Sequence, residues 1–181
     1  MTDKLQFTVL EGGRKKLTTI NTVTLAIIQN SSSPLPIDVR VFEEDTHLVL
    51  TNDGIIRYTE EHPVRLMTEI METKPKKPGT IITNNGRWYA IVHDLDAEPS
   101  WRLQWIKYAY LATLKLGEAK RVQKLGLPLL GSVHGDLPPE QSLEILIQII
   151  KSLTFQHLKN ILLLVPSQDC EKIRKYLHRA M

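Results

Sequence analysis

The sequence contains a single cysteine, and this scarcity excludes several kinds of protein. Cys170 has no partner for an intrachain disulfide, so the fold must rest on a hydrophobic core rather than on covalent staples. A zinc cage built on cysteine ligands is excluded for the same reason. A lone thiol is typical of a reducing compartment, and we expect the protein to be cytoplasmic.

The sequence also lacks long apolar runs. Its first residues, MTDKLQFTVLEGGRKK, do not have the basic-then-apolar order of a signal peptide. No apolar run approaches the length of about 20 residues that a membrane-spanning helix needs. We therefore expect a soluble protein with no membrane partner.

Charge and histidine spacing give little indication of a ligand. The formal net charge is +3 over 181 residues, an excess too small to indicate a nucleic-acid partner. The 6 histidines show no close pairing such as H-E-x-x-H, and we predict neither a metal site nor a cofactor.

The composition indicates one domain over residues 1–181, because 42% hydrophobic residues in a chain of this length suffice for one core. Residues 1–35 are interpreted as an N-terminal hairpin extension, in which LQFTVL turns through Gly12-Gly13 into RKKLTTI. The following NTVTLAIIQN combines β-branched residues with a capping Asn21, so it fits either a helix or a strand.

Hydrophobic periodicity predicts short strands in the first half of the chain and alternating strands and helices in the second. Asn85-Gly86 is a strong hairpin signal between two β-rich runs, and Ser100 fits the N-cap of the longest helix. The alternation predicts an α/β fold with a largely parallel central sheet. The predicted strands cover 37–42, 46–51, 79–84, 87–95, 126–130 and 160–165, and the predicted helices begin near Pro63 and cover 99–124, 138–153 and 169–180.

The turn GSVHGD, residues 131–136, is the main candidate site because ligands of α/β folds gather beyond the carboxyl ends of the strands. Gly131 and Gly135 allow close backbone approach, and N–H groups at a helix N-terminus favour an anion such as phosphate. Ser132 adds a hydroxyl, and His134 adds a ring that can stack or donate. The alternative is that the glycines only shape the turn and no ligand binds.

The chain from about residue 78 to 178 resembles a macro domain. Pro128 and the residues from Gly131 to Gly135 are similar to that family's phosphate-binding loop, P-x-x-G-T-G-x-x-G. PGTIITNNGRWYAIVHDL resembles the strand pair that precedes it. The resemblance implies a three-layer α/β/α sandwich with a mixed, largely parallel sheet, and binding of ADP-ribose or hydrolysis of ADP-ribose adducts.

Two departures from the family pattern bear on function. The loop lacks the glycine that normally follows its Ser or Thr, so fewer N–H groups converge on a diphosphate. In LVLTNDGIIRYTEEHPVRL only Asn52 and Gly54 match the N-A-A-N signature and its glycine triplet, and Glu60-Glu61 stand where glycines would cradle phosphate. Asn52 is assigned a ribose-facing role, with a simple Asn-Asp-Gly β-turn as the alternative.

The leading hypothesis is a divergent module that binds ADP-ribose or a related nucleotide diphosphate, either free or carried on an ADP-ribosylated protein. One alternative is a degenerate macro-like scaffold that contacts other proteins without a ligand. Another is an ADP-ribosyl hydrolase that uses His134 or His93. The predicted ligand-binding residues are Gly131, Ser132, Val133, His134, Gly135 and Asn52.

Overall fold

The computed structural model describes residues 17–30, 35–51, 74–84 and 86–179. Seven strands and three helices occur in these ranges. The strands are β1 (Leu17–Ile20), β2 (Val23–Gln29), β3 (Val39–Asp45), β4 (Ile81–Asn84), β5 (Arg87–His93), β6 (Lys124–Pro128) and β7 (Asn160–Val165). The helices are α1 (Leu103–Ala119), α2 (Pro139–Ser152) and α3 (Cys170–Arg179).

The strands form one seven-stranded sheet with the order β1-β2-β7-β6-β3-β5-β4. The four interior pairings are parallel, and the two outermost pairings, β1 with β2 and β4 with β5, are antiparallel. This arrangement confirms the mixed, largely parallel sheet that the sequence predicted. It follows from the short apolar strands of the second half, each of which returns to the sheet through a helix.

The three helices pack side by side in chain order, α1 against α2 and α2 against α3, and form one layer on one face of the sheet. The predicted inward residues of α2, namely Leu143, Leu146, Ile147 and Ile150, are all buried in this layer. Tyr89, Ile91 and Leu164 are buried on the opposite face of the sheet. Both faces are therefore covered, as a three-layer sandwich requires.

The hairpin predicted around Asn85-Gly86 is confirmed by the structure. Strands β4 and β5 pair in antiparallel register on either side of it, with Asn84 opposite Arg87. Gly86 has a φ of 79°, a conformation that glycine adopts without steric cost. Its outer strand, β4, forms one edge of the sheet.

The first strands differ from the prediction. The turn at Gly12-Gly13 lies outside the described residues, and the described hairpin joins β1 to β2 through Asn21, whose φ is 53°. Asn21 is therefore a turn residue, and its amide donates to the carbonyls of Ile150 and Leu153. Strand β2 pairs with β7 in the interior of the sheet, so this part of residues 1–35 belongs to the core and is not an extension.

Cys170 is buried at the start of α3, where its thiol donates to the carbonyl of Val165 across 3.6 Å. It therefore has a packing role. None of the helices in the described part of the chain is long and apolar enough to cross a membrane.

Candidate functional site

The predicted turn lies between β6 and α2, at the carboxyl end of the sheet. A buried network beneath it fixes Leu130: its N–H donates to the Tyr110 hydroxyl, and the Ser142 hydroxyl donates to its carbonyl, both across 2.7 Å. Tyr110 then donates to Ser142, which completes the network. Burial raises the pKa of Tyr110 far above its usual 10, so the phenol stays protonated.

Two N–H groups of the loop are occupied by a side chain that the sequence analysis missed. The N–H of Gly131 donates to Oε2 of Glu43 across 2.6 Å, and the N–H of His134 donates to Oε1 across 3.0 Å. Glu43 comes from the end of β3, which pairs with β6 only at Val39 and Arg40. The two strands are not paired beyond that point.

His93 completes the surroundings of Glu43. Its Nε2 lies 2.6 Å from Oε1 of the carboxylate, and its Nδ1 lies 3.3 Å from the hydroxyl of Ser100. A shift in register places Glu44 opposite Ile91 and Asp45 opposite His93, so β5 carries one extra residue at Val92. This bulge places His93 on the same face of the sheet as Glu43, because side chains alternate between faces.

The hydroxyl of Ser132 faces back into the loop. Both its Oγ and its N–H donate to the carbonyl of Leu129, across 2.6 and 3.1 Å. The hydroxyl proton predicted to serve a ligand is therefore used inside the turn. Ser100 also departs from prediction: Arg102 precedes α1 as its N-cap, with no side-chain capping bond, and the Ser100 hydroxyl lies beside His93 instead.

The two predicted glycines are required by the loop itself. Gly131 has a φ of 83°, and a Cβ there would lie 2.4 Å from the side chain of Ile106. A Cβ on Gly135 would lie 2.5 Å from the carbonyl oxygen of Gly131 and 2.8 Å from the ring of Trp101. These close contacts support the simpler interpretation of both glycines, as residues that shape the turn.

Two of the predicted loop residues keep N–H groups available for a ligand. Among the described residues, neither the N–H of Val133 nor that of Gly135 makes a hydrogen bond. Val133 is 45% exposed, and Gly135 and His134 line a cleft of about 310 Å³. The cleft is completed by Glu98, Pro99, Ser100, Trp101 and Asp136.

The electrostatics of the cleft do not favour a strongly anionic ligand. Glu98 and Asp136 contribute two carboxylates, and no lysine or arginine lines the cleft among the described residues. The Asp136 carboxylate accepts the indole N–H of Trp101 across 2.5 Å, which fixes the ring at the side of the cleft. A diphosphate would therefore meet repulsion at the rim and a flat aromatic surface inside.

Residues 46–51, predicted as a strand, instead form a loop held by two buried carboxylates. Asp45 accepts the N–H groups of His47, Val49 and Leu50 across 2.6 to 3.0 Å. Glu44 accepts the N–H groups of Leu50 and Thr51 and the Thr51 hydroxyl. In a strand these N–H groups would donate to a neighbouring strand. Here they donate to the two carboxylates, and residues 46–51 therefore form a loop.

Desolvation by burial raises the pKa of Glu44 above its usual 4.5, and the hydrogen bonds from Thr51 and the N–H of Asp45 oppose that shift. The loops that follow β3 and β6 thus share one property. In each of them, backbone N–H groups are bound by carboxylates from the run Glu43, Glu44 and Asp45 at the end of β3.

Several predicted features lie outside the described residues, namely Asn52, Gly54, Glu60-Glu61 and the helix that begins near Pro63. The ribose-facing role of Asn52 therefore stays a prediction. The sequence does carry a signal for Glu43: three consecutive acidic residues end a strand whose alternate residues, Val39 and Val41, are buried. Alternation would have placed Glu43 on the buried face.

Solved structures similar to this chain are macrodomains. A variant of the Oceanobacillus iheyensis macrodomain with ADPR matches with a TM-score of 0.67 at 16% identity, covering 91% of this chain and 97% of that one. The Trypanosoma brucei macrodomain in complex with ADP matches with a TM-score of 0.58 at 12% identity, covering 84% and 68%. The macro domain of ganglioside induced differentiation associated protein 2 matches with a TM-score of 0.59 at 14% identity, covering 84% and 82%.

No protein-family model matches the chain, and no curated protein sequence matches it. At these identities the structural likeness establishes the fold, which is that of a macrodomain.

Proposed function

We propose that this chain, which has the macrodomain fold, binds ADP-ribose or a related nucleotide diphosphate in the cleft beside Gly135. The observation that carries the proposal is the pair of N–H groups, on Val133 and Gly135, that have no acceptor among the described residues. They lie in the loop between a parallel strand and a helix, where phosphate groups are commonly held. The macrodomains solved with ADPR and with ADP support the ligand class at the level of the fold.

Each part of such a ligand has a counterpart in the cleft or in the loop beside it. Phosphate oxygens would accept from Val133 and Gly135, and a flat base or a ribose face would pack on Trp101. Because Gly131 and His134 already donate to Glu43, only part of the loop serves the ligand. We therefore expect weak binding.

Calorimetric titration with ADP-ribose tests the proposal. We expect a dissociation constant of about 100 μM to 1 mM, equivalent to about 4 to 5.5 kcal/mol of binding free energy. Adenosine, which has no phosphate, should bind at least about tenfold more weakly if the loop N–H groups contribute. No heat and no thermal shift at millimolar ADP-ribose would reject the proposal.

A charge variant locates the ligand in this cleft. Glu98→Gln removes one rim carboxylate, and we expect it to tighten ADP-ribose binding by about threefold at low salt, because a like charge a few ångströms from phosphate is removed. Glu171→Gln is the matched control, since it makes the same charge change in the first turn of α3, at a residue that does not line the cleft. Equal effects of the two variants would place the ligand elsewhere.

The second candidate function is a ligand-free scaffold that contacts other proteins, and Glu43 is the observation that favours it. A loop whose N–H groups are bound by its own chain needs no ligand to be ordered. The same titration separates the two candidates, because a scaffold would show no heat with ADP-ribose.

The hydrolase alternative is tested by incubating the protein with an ADP-ribosylated substrate protein. We expect no release of ADP-ribose, because His93 is fully buried and its Nε2 faces Glu43 rather than the cleft. Release that His134→Ala abolishes would favour the hydrolase instead, since His134 is exposed and lines the cleft.

A further inference from the structure

We infer that the Glu43 carboxylate is the resident anion of the loop between β6 and α2, and that it limits how strongly this loop can bind an external phosphate. The Gly131 N–H, the His134 N–H and His93 Nε2 converge on this one carboxylate within 2.6 to 3.0 Å. The loop is therefore already arranged as an anion-binding site, and its anion is a side chain of the same protein.

Burial indicates why Glu43 is held so tightly. Its side chain is 0% exposed, and a buried carboxylate is stable only when donors replace the water it has lost. Three donors, two of them from the loop, do so here. Movement of Glu43 out of the loop would leave these donors without an acceptor. It would also leave the carboxylate without the donors that replace its lost hydration.

An external phosphate cannot share these donors with Glu43. Two anions bound to the same N–H groups would lie within a few ångströms of each other, where repulsion between like charges is strongest in a buried site. A ligand must therefore either displace Glu43 or use only Val133 and Gly135. In the second case the affinity for diphosphates is set by one residue of β3, which no ligand needs to touch.

The inference also bears on the proposed function, because the class of ligand, a nucleotide diphosphate, is taken from that proposal. Glu43 acts as a specificity-determining residue. It disfavours ligands that need several phosphate contacts, and it tolerates ligands held mainly by Trp101 and by the N–H groups of Val133 and Gly135. Its replacement by a small neutral residue should convert the loop into an open site for anions.

The experiment uses Glu43→Ala, with formate and inorganic phosphate as probes. We expect the variant to melt at a lower temperature than the wild type, and millimolar formate or phosphate to restore several degrees by filling the vacated site. Glu118→Ala is the matched control, because its carboxylate also accepts backbone N–H groups but at a site open to solvent, where water can replace the carboxylate. The control and the wild type should gain clearly less stability from these anions than Glu43→Ala does. A Glu43→Ala variant that responds no more than Glu118→Ala would overturn the inference.

An ADP-ribose titration of the same variant separates this inference from the proposed function. If both hold, Glu43→Ala binds ADP-ribose at least about tenfold more tightly than the wild type. The reason is that the N–H groups of Gly131 and His134 can then donate to the charged phosphate oxygens. Rescue by formate without any ADP-ribose binding would support the resident anion and reject the proposed function. Equal ADP-ribose affinity in both proteins would support the proposed function and reject the inference.

A measurement on the wild type applies if Glu43→Ala does not fold even with formate. In a titration with inorganic phosphate followed by amide NMR, the Val133 and Gly135 signals should shift, while those of Gly131 and His134 stay in place. Comparable shifts of all four signals would show that phosphate reaches the N–H groups of Gly131 and His134, and would overturn the inference.

Discussion

At the scale of single residues, the glycines of this chain differ in what surrounds them. The backbone of Gly135 is pressed against the Gly131 carbonyl and Trp101, so its missing side chain is a packing requirement. Gly117 lies inside α1, and a Cβ there would meet nothing within 4 Å. The same substitution should therefore have opposite effects at the two positions.

We predict that Gly135→Ala lowers the free energy of unfolding by about 1 to 3 kcal/mol, because the carbonyl oxygen at 2.5 Å cannot move without shifting the loop. Gly117→Ala should raise it by about 0.5 to 1 kcal/mol, because alanine loses less backbone entropy in a helix. Urea denaturation of both variants measures the difference. Destabilisation of equal size at the two positions would contradict the contacts described for Gly135.

At the scale of elements, a loop at the far end of α1 is held by a carboxylate. Glu118 accepts the N–H groups of Gln156, His157 and Leu158 across 2.8 to 3.1 Å. Partial burial alone would raise its pKa, but these three donors and the nearby His157 ring hold it below the usual 4.5. The loop between α2 and β7 is thus attached to α1 through a charged acceptor.

A pKa that is lower in the folded state contributes stability above the unfolded value, and that stability is lost as the pH falls through the folded value. We predict that Glu118→Gln lowers the free energy of unfolding by about 1 to 2 kcal/mol at neutral pH. The deficit should shrink as the pH falls through the folded pKa of Glu118, which lies below 4.5, because the wild-type side chain then becomes neutral like the glutamine. Urea denaturation at neutral pH and at about pH 3 measures this deficit. Glu171→Gln is the control, because its carboxylate is exposed. A deficit that does not change with pH would mean that the charge of Glu118 plays no part.

Periodicity and turn chemistry predicted most of the described elements, and the failures have a common cause. Strands β5 and β7 and helix α2 carry their apolar residues at the expected spacing, so local sequence sufficed. Residues 46–51 also contain a β-rich apolar run typical of a strand, but buried carboxylates accept their N–H groups. That outcome depends on where the end of β3 lies in the folded chain, as does the position of Glu43 against a loop 88 residues away. The candidate site was therefore predicted as a loop, but without its principal contact.

At the scale of the whole molecule, the sheet joins distant parts of the chain. β7 lies between β2 and β6, and Ala26 in β2 pairs with Leu162 in β7. The sheet therefore has β1 and β2 on one side of β7, and β6, β3, β5 and β4 on the other. Neither group is covered along the edge that faces β7 until that strand is in place.

We predict that a fragment ending at residue 159, which lacks β7 and α3, shows no cooperative unfolding transition. A fragment ending at residue 169 keeps the complete sheet and should retain a transition at lower temperature, because it loses only the packing of α3. Circular dichroism during thermal denaturation distinguishes the two fragments. A cooperative transition in the shorter fragment would mean that one side of the sheet folds alone.

This strand order also has a consequence for translation. The ribosome makes β7 after every other described strand, so β2 and β6 leave the exit tunnel before the strand that both of them flank. At ordinary elongation rates the nascent chain waits roughly seconds between β6 and β7 with two apolar strand edges unpaired. During that interval a chaperone that binds extended apolar segments would compete directly with the final pairing. The yield of folded protein in the cell should therefore depend on the supply of such a chaperone.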